Sequence, residues 1–253
     1  MALVRCDFFS EVLEVGTSMT VLLPQASEDQ VGVTGTRRTG DLPVLYLLHG
    51  LSDDSTAWLR YTSIERYAAP LGLAVVMPQV QRSFYADEVH GERFFTFLSD
   101  ELPEVVGRFF RVSAEREDTF VAGLSMGGYG ALKWALHRPG RFAAAASLSG
   151  ALDLEAISRD EWRRPLMQRV FDGRVGPADD LFALLADADV DSLPPLYVGC
   201  GTEDHLFKDN VRFVDAATAA GVDVQVDFRT GEHEWGVWDA AIRDVLAWLP
   251  VRG

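Results

Sequence analysis

Along this chain short, nearly unbroken apolar runs alternate with longer stretches in which apolar residues recur every three or four positions. The run Leu42 to Leu48, LPVLYLL, predicts a parallel strand covered on both faces. Leu73–Met77, Thr119–Ala122, Phe142–Leu148, Leu196–Val198 and Val222–Phe228 predict further strands. Helical spacing covers Ser63–Leu71, Phe94 to Phe110, Asp209–Ala220 and Glu234–Leu249. Strands and helices in this alternation predict an α/β fold with a mainly parallel, doubly wound sheet. In such a sheet a ligand binds beyond the carboxyl ends of the strands.

The remaining stretches depart from that rhythm. Val4–Val15 and Thr20–Leu23 predict an antiparallel hairpin at a sheet edge, turning at Gly16-Thr17. Residues 25–41 are polar and Gly-rich, the composition of a surface loop. Gln79–Glu92 mixes polar and aromatic residues and predicts a loop over the carboxyl edge of the sheet. Residues 151–192 carry short helical patterns without a strand signal, which predicts a helical insertion, or cap, beside that edge. No repeat or interdomain linker interrupts the pattern, so residues 1–253 are expected to form one domain.

Candidate chemistry collects where predicted strands end. After the strand at Thr119, Gly123-Leu124-Ser125-Met126-Gly127 matches G-x-S-x-G, and helical spacing resumes from Tyr129 until His137-Arg138-Pro139. Strand, sharp turn and helix are the context of a nucleophile elbow, in which the serine backbone is strained and its neighbours must lack a Cβ. The motif alone is weak evidence, because a Gly-rich turn also lets a helix pack closely on a strand. A serine hydroxyl needs a base, and neutral histidine suits that role near pH 7. His233 follows the last strand; Asp204, after the preceding one, is placed to orient it. Glu203 and Asp209 are alternatives for the acid, and Asp204 has a plainer role as cap of the following helix. Of the other histidines, His49 reads as structural, His90 as a loop residue, His137 as a helix end and His205 as a surface or capping residue. Backbone donors for an oxyanion would come from Met126 and from Leu51, in the loop His49-Gly50-Leu51, where Gly50 permits close approach.

Composition narrows the field. The 253 residues are 48% apolar, enough for a full core, and carry a net charge of −15. That charge argues against nucleic acid and anionic membranes as partners and mildly favours neutral or cationic substrates. No apolar run reaches the ~18–20 residues of a membrane span, and the acidic residues Asp7, Glu11 and Glu14 are foreign to a signal peptide, so a cytoplasmic protein is expected. Cys6 and Cys200 lie in two different predicted strands and are expected as buried free thiols. With no H-E-x-x-H, no G-x-G-x-x-G after a strand and no P-loop lysine, neither a metal nor a nucleotide cofactor is expected.

Taken together, HGLSDDSTAWLR, RSFYADE, DELP, GLSMGGYGALKWAL, GTEDHLF and GEHEWGVWD resemble the esterase D family of α/β-hydrolases. The likeness is to its tributyrin-esterase-like carboxylesterases, relatives of feruloyl and acetylxylan esterases and of S-formylglutathione hydrolases. It spans residues 5 to 250. It implies an α/β-hydrolase fold and hydrolysis of a small-molecule, short-chain acyl ester by Ser125, Asp204 and His233, with Leu51 and Met126 as oxyanion donors. It further implies that Gly50, Phe84, Tyr85 and Trp235 line the substrate site; Phe84 and Tyr85 belong to a family loop with Arg82 and Ser83, and Trp235 follows His233. Such relatives are often homo-oligomers, and no apolar stripe in this sequence assigns an interface. S-formylglutathione hydrolysis, feruloyl- or acetyl-sugar ester hydrolysis and acyl transfer are the alternatives within enzymes. A non-catalytic, hydrolase-like binding module is the alternative outside them, disfavoured because all three catalytic residue types are present.

Overall fold

The computed structural model describes residues 1–26, 31–32, 34–36 and 38–252. Part of the polar stretch 25–41 therefore lies outside the described residues; its described residues carry no helix or strand.

Eight strands form one sheet in the order β1-β2-β4-β3-β5-β6-β7-β8. In chain order they are β1 Ala2–Ser10, β2 Val15–Leu23, β3 Val44–Leu48, β4 Ala74–Pro78, β5 Thr119–Leu124, β6 Ala144–Leu148, β7 Leu196–Gly201 and β8 Val224–Arg229. From β4 to β8 all neighbours are parallel; β1 and β2 add an antiparallel hairpin at one edge. The helices are α1 Ala57–Tyr61, α2 Ile64–Ala68, α3 Phe94–Thr96, α4 Leu102–Phe109, α5 Met126–His137, α6 Leu154–Ser158, α7 Arg164–Phe171, α8 Leu181–Ala186, α9 Phe207–Ala219 and α10 Trp235–Trp248. This is the α/β-hydrolase fold with a helical insertion.

Every residue of β3 to β7 is buried, because helices cover both faces. Alternation sorts them between two cores. Leu45 and Leu47 point to the side of α10, whereas Val44, Tyr46 and Leu48 point to the side of α5. After β3 the chain builds β4 on one side, then returns to place β5 on the other, so the sheet reverses direction at β3/β5. Leu48 pairs with Gly123 there, which sets the loop leaving β3 opposite Leu124 and Ser125. The crevice at such a switch point is where this class of sheet binds its ligand.

Two local expectations are corrected and one is refined. The hairpin turns at residues 11–14, with Glu14 at φ 55°, and Gly16 lies inside β2 opposite Phe9. The helix expected over Phe94 to Phe110 runs without interruption to Phe109, as α3, a π-helical turn at Phe97–Glu101 and α4. Cys6 on β1 is only half-buried, whereas Cys200 on β7 is buried. Both are free thiols, and the five strands between β1 and β7, at about 4.8 Å each, keep them far apart.

The insertion is tied to the sheet domain by buried side chains such as Val170 and Leu181 and by hydrogen bonds to its main chain. The N–H groups of Val89 and His90 donate to the carbonyls of Val170 (2.9 Å) and Arg169 (3.0 Å). The Tyr129 hydroxyl donates to the carbonyl of Asp179 (2.7 Å), and His137 Nε2 to that of Ala178 (2.8 Å). Side chains tie them as well: Lys133, 2% exposed on α5, meets Asp179 at 2.5 Å while also donating to the Tyr85 carbonyl at 3.1 Å, Arg169 meets Glu88 at 3.1 Å, and His90 meets Asp172 at 2.8 Å. Removing one partner of a buried pair strands the other. Lys133→Ala should therefore lower the unfolding free energy by about 3 kcal/mol in urea titrations, and a loss below about 1 kcal/mol would reduce the pair to a surface contact.

Candidate active site

Ser125 sits between β5 and α5 with φ 52° and ψ −116°, a strained backbone for a residue with a side chain. Its neighbours make the turn feasible. A Cβ on Gly123 would strike the Gly127 carbonyl, and one on Gly127 would strike the Leu48 carbonyl. The turn is fixed from outside as well: Ser125 N–H donates to the Leu148 carbonyl (2.9 Å), and Ala151 N–H donates to the Ser125 carbonyl (3.0 Å). Helix α5 starts at Met126, three residues earlier than its spacing predicts, because the glycines interrupt the apolar pattern but not the helix.

The loops after β7 and β8 bring two more groups to this point. His233 Nε2 lies 3.1 Å from Ser125 Oγ, and its Nδ1 lies 2.8 Å from Asp204 Oδ2. The second Asp204 oxygen accepts the Leu206 N–H at 2.8 Å, so one carboxylate both caps the turn before α9 and holds the imidazole. Glu203 instead accepts from the Gly231 N–H, and Asp209 pairs with Arg212 at 2.8 Å; neither touches His233. Burial opposes ionisation of Asp204, but hydrogen bonds from His233 and Leu206 outweigh it and hold the carboxyl below its ordinary range. The imidazole is wedged edge-to-face between His205 (4.7 Å between centroids) and Trp238 (4.8 Å). Asp204, His205 and His233 offer ligand atoms within 4.8 Å of one another, the one such trio among the described residues. A cation there would compete for the atoms that already bond Asp204 to His233.

The loop leaving β3 faces Ser125. His49 is 1% exposed; its Nε2 receives the Val80 N–H (3.2 Å), so its Nδ1 carries the proton and donates to the Gly50 carbonyl (2.8 Å). Asp53 N–H donates to the same carbonyl at 3.2 Å. In a trans peptide C=O and N–H point in opposite directions, so anchoring the Gly50 carbonyl also fixes the direction of Leu51 N–H. Met126 is the first residue of α5, so its N–H has no intrahelical acceptor.

A family model described as putative esterase matches residues 10–249. The chain belongs to this esterase family. An acetyl esterase of Caldicellulosiruptor saccharolyticus is 30% identical, with 98% of each chain covered. Among solved structures, the fluorophosphonate-binding serine hydrolase F of Staphylococcus aureus superposes with a TM-score of 0.88 at 34% identity, covering 98% of both chains. An S-formylglutathione hydrolase of the same organism gives 0.86 at 33% identity, again over 98% of both.

In this esterase a cavity of about 650 Å³ opens over Ser125 and His233. Gly50, Leu51 and Trp235 line it. The expectation for Phe84 and Tyr85 is corrected: at 1% and 0% exposure they lie beneath the site and do not line it. Both adopt left-handed backbone, φ 51° and 50°, which turns the rings inward. Phe84 packs edge-on against Tyr129, and the Tyr85 hydroxyl donates to the His49 carbonyl at 2.9 Å. Tyr85 thereby supports the loop after β3 from below. Arg82 of the family loop lines the cavity, and so does His205, exposed as expected; among the lining residues that the sequence reading of the site does not name are Trp162 and Arg163 of the insertion, which carry no motif.

The buried His49 predicts an acid sensitivity. Burial lowers its pKa from 6.5 to about 4, against the pull of its bond to Gly50. Above pH 6.5 the ring is neutral in the folded and unfolded chains alike; below it the unfolded chain takes up a proton that the fold refuses. Stability contributed by this group is therefore complete above pH 6.5 and is lost progressively down to about pH 4. Between those limits wild type should lose about 3 kcal/mol more than His49→Gln, measured by denaturant titration at several pH values. Equal losses in the two proteins would refute the assignment.

Proposed function

We propose that this esterase is a serine carboxylesterase that cleaves short-chain acyl esters through an acyl-enzyme. The observation that carries the proposal is the continuous chain Asp204–His233–Ser125, ending in the cavity. The acetyl esterase among its relatives favours a short acyl group. Ser125 Oγ attacks the ester carbonyl carbon while its proton passes to His233 Nε2. The negative oxygen that forms accepts the N–H groups of Leu51 and Met126, donors fixed before the substrate arrives. Asp204 keeps Nδ1 as the donor, leaving Nε2 free to accept, and then balances the charged ring. When the bond to the leaving oxygen breaks, Nε2 returns the proton to it. Water then enters, loses a proton to the same nitrogen, and releases the acid.

The likeness to an S-formylglutathione hydrolase supports a second reading, in which the leaving atom is a thiol sulfur. Hydrolysis of 4-nitrophenyl acetate, butyrate and octanoate, a feruloyl ester and S-formylglutathione separates the readings. Fastest turnover of the acetate or butyrate supports the proposal, as does a mass gain of one acyl group on Ser125. Preference for the thioester selects the second reading. No turnover of any of them would leave a binding module.

A further inference from the structure

The groups on the insertion side of the cavity contradict the simplest reading of the acidic composition. Arg82, Arg163 and His205 all line it there. They form one electrostatic neighbourhood, since Arg82 and Asp160 both act on Arg163, and Arg163 and Asp160 both act on His205. The Arg163 side chain is 15% exposed, and its guanidinium lies 4.3 Å from the centre of the Trp162 ring. Its Nε is buried without a hydrogen-bond partner among the described residues, because Asp160 is 3.7 Å away. A half-buried guanidinium with an unused donor is costly to keep unless something else accepts from it. The acidic lining residues stand elsewhere: Asp53 is bonded to Gly50 N–H at 3.2 Å, and Glu234 precedes α10.

The chemistry says which half of the substrate meets this wall. The leaving group takes its proton from His233 Nε2 and so departs on the histidine side. His205, packed 4.7 Å from His233, continues that side toward Arg163 and Arg82. We infer that Arg82 and Arg163 form an anion subsite for the leaving group, and that the preferred substrates are acyl esters or thioesters whose alcohol or thiol carries a carboxylate. Arg163 supplies the planar donor fork suited to a carboxylate, and Arg82 adds charge from the exposed rim. The inference rests on the esterase reading above.

The test compares 4-acetoxybenzoate with its neutral counterpart 4-acetoxybenzamide, which present the same acyl group. Wild type should favour the anion by about 5-fold or more in kcat/KM at low ionic strength, and the ratio should shrink in about 0.5 M salt. Arg82→Gln with Arg163→Gln should bring the ratio near one while leaving hydrolysis of the amide within about 2-fold, which also shows that the variant folds. Arg163→Lys should retain part of the preference, since it keeps the charge and loses the fork. A wild-type ratio near one, or a ratio unchanged in the double variant, overturns the subsite. Ser125→Ala distinguishes the two failures: if it abolishes hydrolysis of both compounds, the esterase reading stands without the subsite. If both are still cleaved, that reading itself falls.

Discussion

Ser125→Ala should lower kcat on 4-nitrophenyl butyrate by a factor on the order of 10⁵ to 10⁶ and leave the fold unchanged. The hydroxyl removed here makes one contact, with His233 Nε2 at 3.1 Å, and alanine occupies the same backbone turn without new bulk. His233→Ala should cost about as much, because a serine without its base and a base without its serine fail at the same step. The double variant should be no slower than either single one, since residues that act as a unit are not additive. Residual turnover above the uncatalysed rate would come from Leu51 and Met126 N–H and from binding. Activity within about 10-fold of wild type in Ser125→Ala would exclude this serine as the nucleophile.

Asp204→Asn should come next, lowering kcat by about 10³ to 10⁴ with little change in KM. The amide has nearly the shape of the carboxylate, and its oxygen still accepts the Leu206 N–H. Toward His233, however, its NH2 group donates. Nδ1 must then become the acceptor, which places the ring proton on Nε2, where it faces Ser125 Oγ and blocks proton transfer. The fault lies in the tautomer, so a crystal structure of the variant should show the three side chains in place. Loss of activity with a displaced His233 would instead make Asp204 a purely structural anchor. Glu203→Gln and Asp209→Asn, whose partners are Gly231 N–H and Arg212, should stay within about 3-fold of wild type.

The sheet and the residues at its carboxyl edge were legible in the sequence because a strand buried on both faces has nearly one composition. The runs at Leu42 and Thr119 needed no context to be recognised. Boundaries were less legible wherever one residue type carries two signals. Gly16 reads as a turn yet lies in β2, and the turn itself falls on residues 11–14, where Glu14 takes the left-handed backbone usually given to glycine. Phe84 and Tyr85 were expected as site lining through the family resemblance, in a loop over the carboxyl edge of the sheet. Two successive left-handed residues turn the rings inward instead, and nothing in their side chains announces it. His205 is exposed as expected, but its closeness to the site was not legible. Its place beside His233 depends on how the loops after β7 and β8 meet, a long-range fact with no local pattern. Trp162 and Arg163 depend on how the insertion lies over the sheet, which short helical patterns do not encode.

The insertion's tethers have a consequence for how specificity can change. The carbonyls of Val170, Arg169, Ala178 and Asp179 receive hydrogen bonds from the sheet domain, and carbonyls are common to every amino acid. Side chains are held too: Asp179 faces Lys133, Arg169 pairs with Glu88, Asp172 with His90 and Asp153 with Arg212, while Val170 and Leu181 are buried in the core. Segments 151–192 of different composition should be exchangeable on this scaffold as cassettes, provided they keep the backbone path, these paired side chains and the buried apolar positions. Ser125, Asp204 and His233 follow β5, β7 and β8, outside the exchanged segment. Such chimaeras should keep their acyl-transfer chemistry while acquiring new leaving-group preferences, which makes the cap the natural unit of diversification in this molecule.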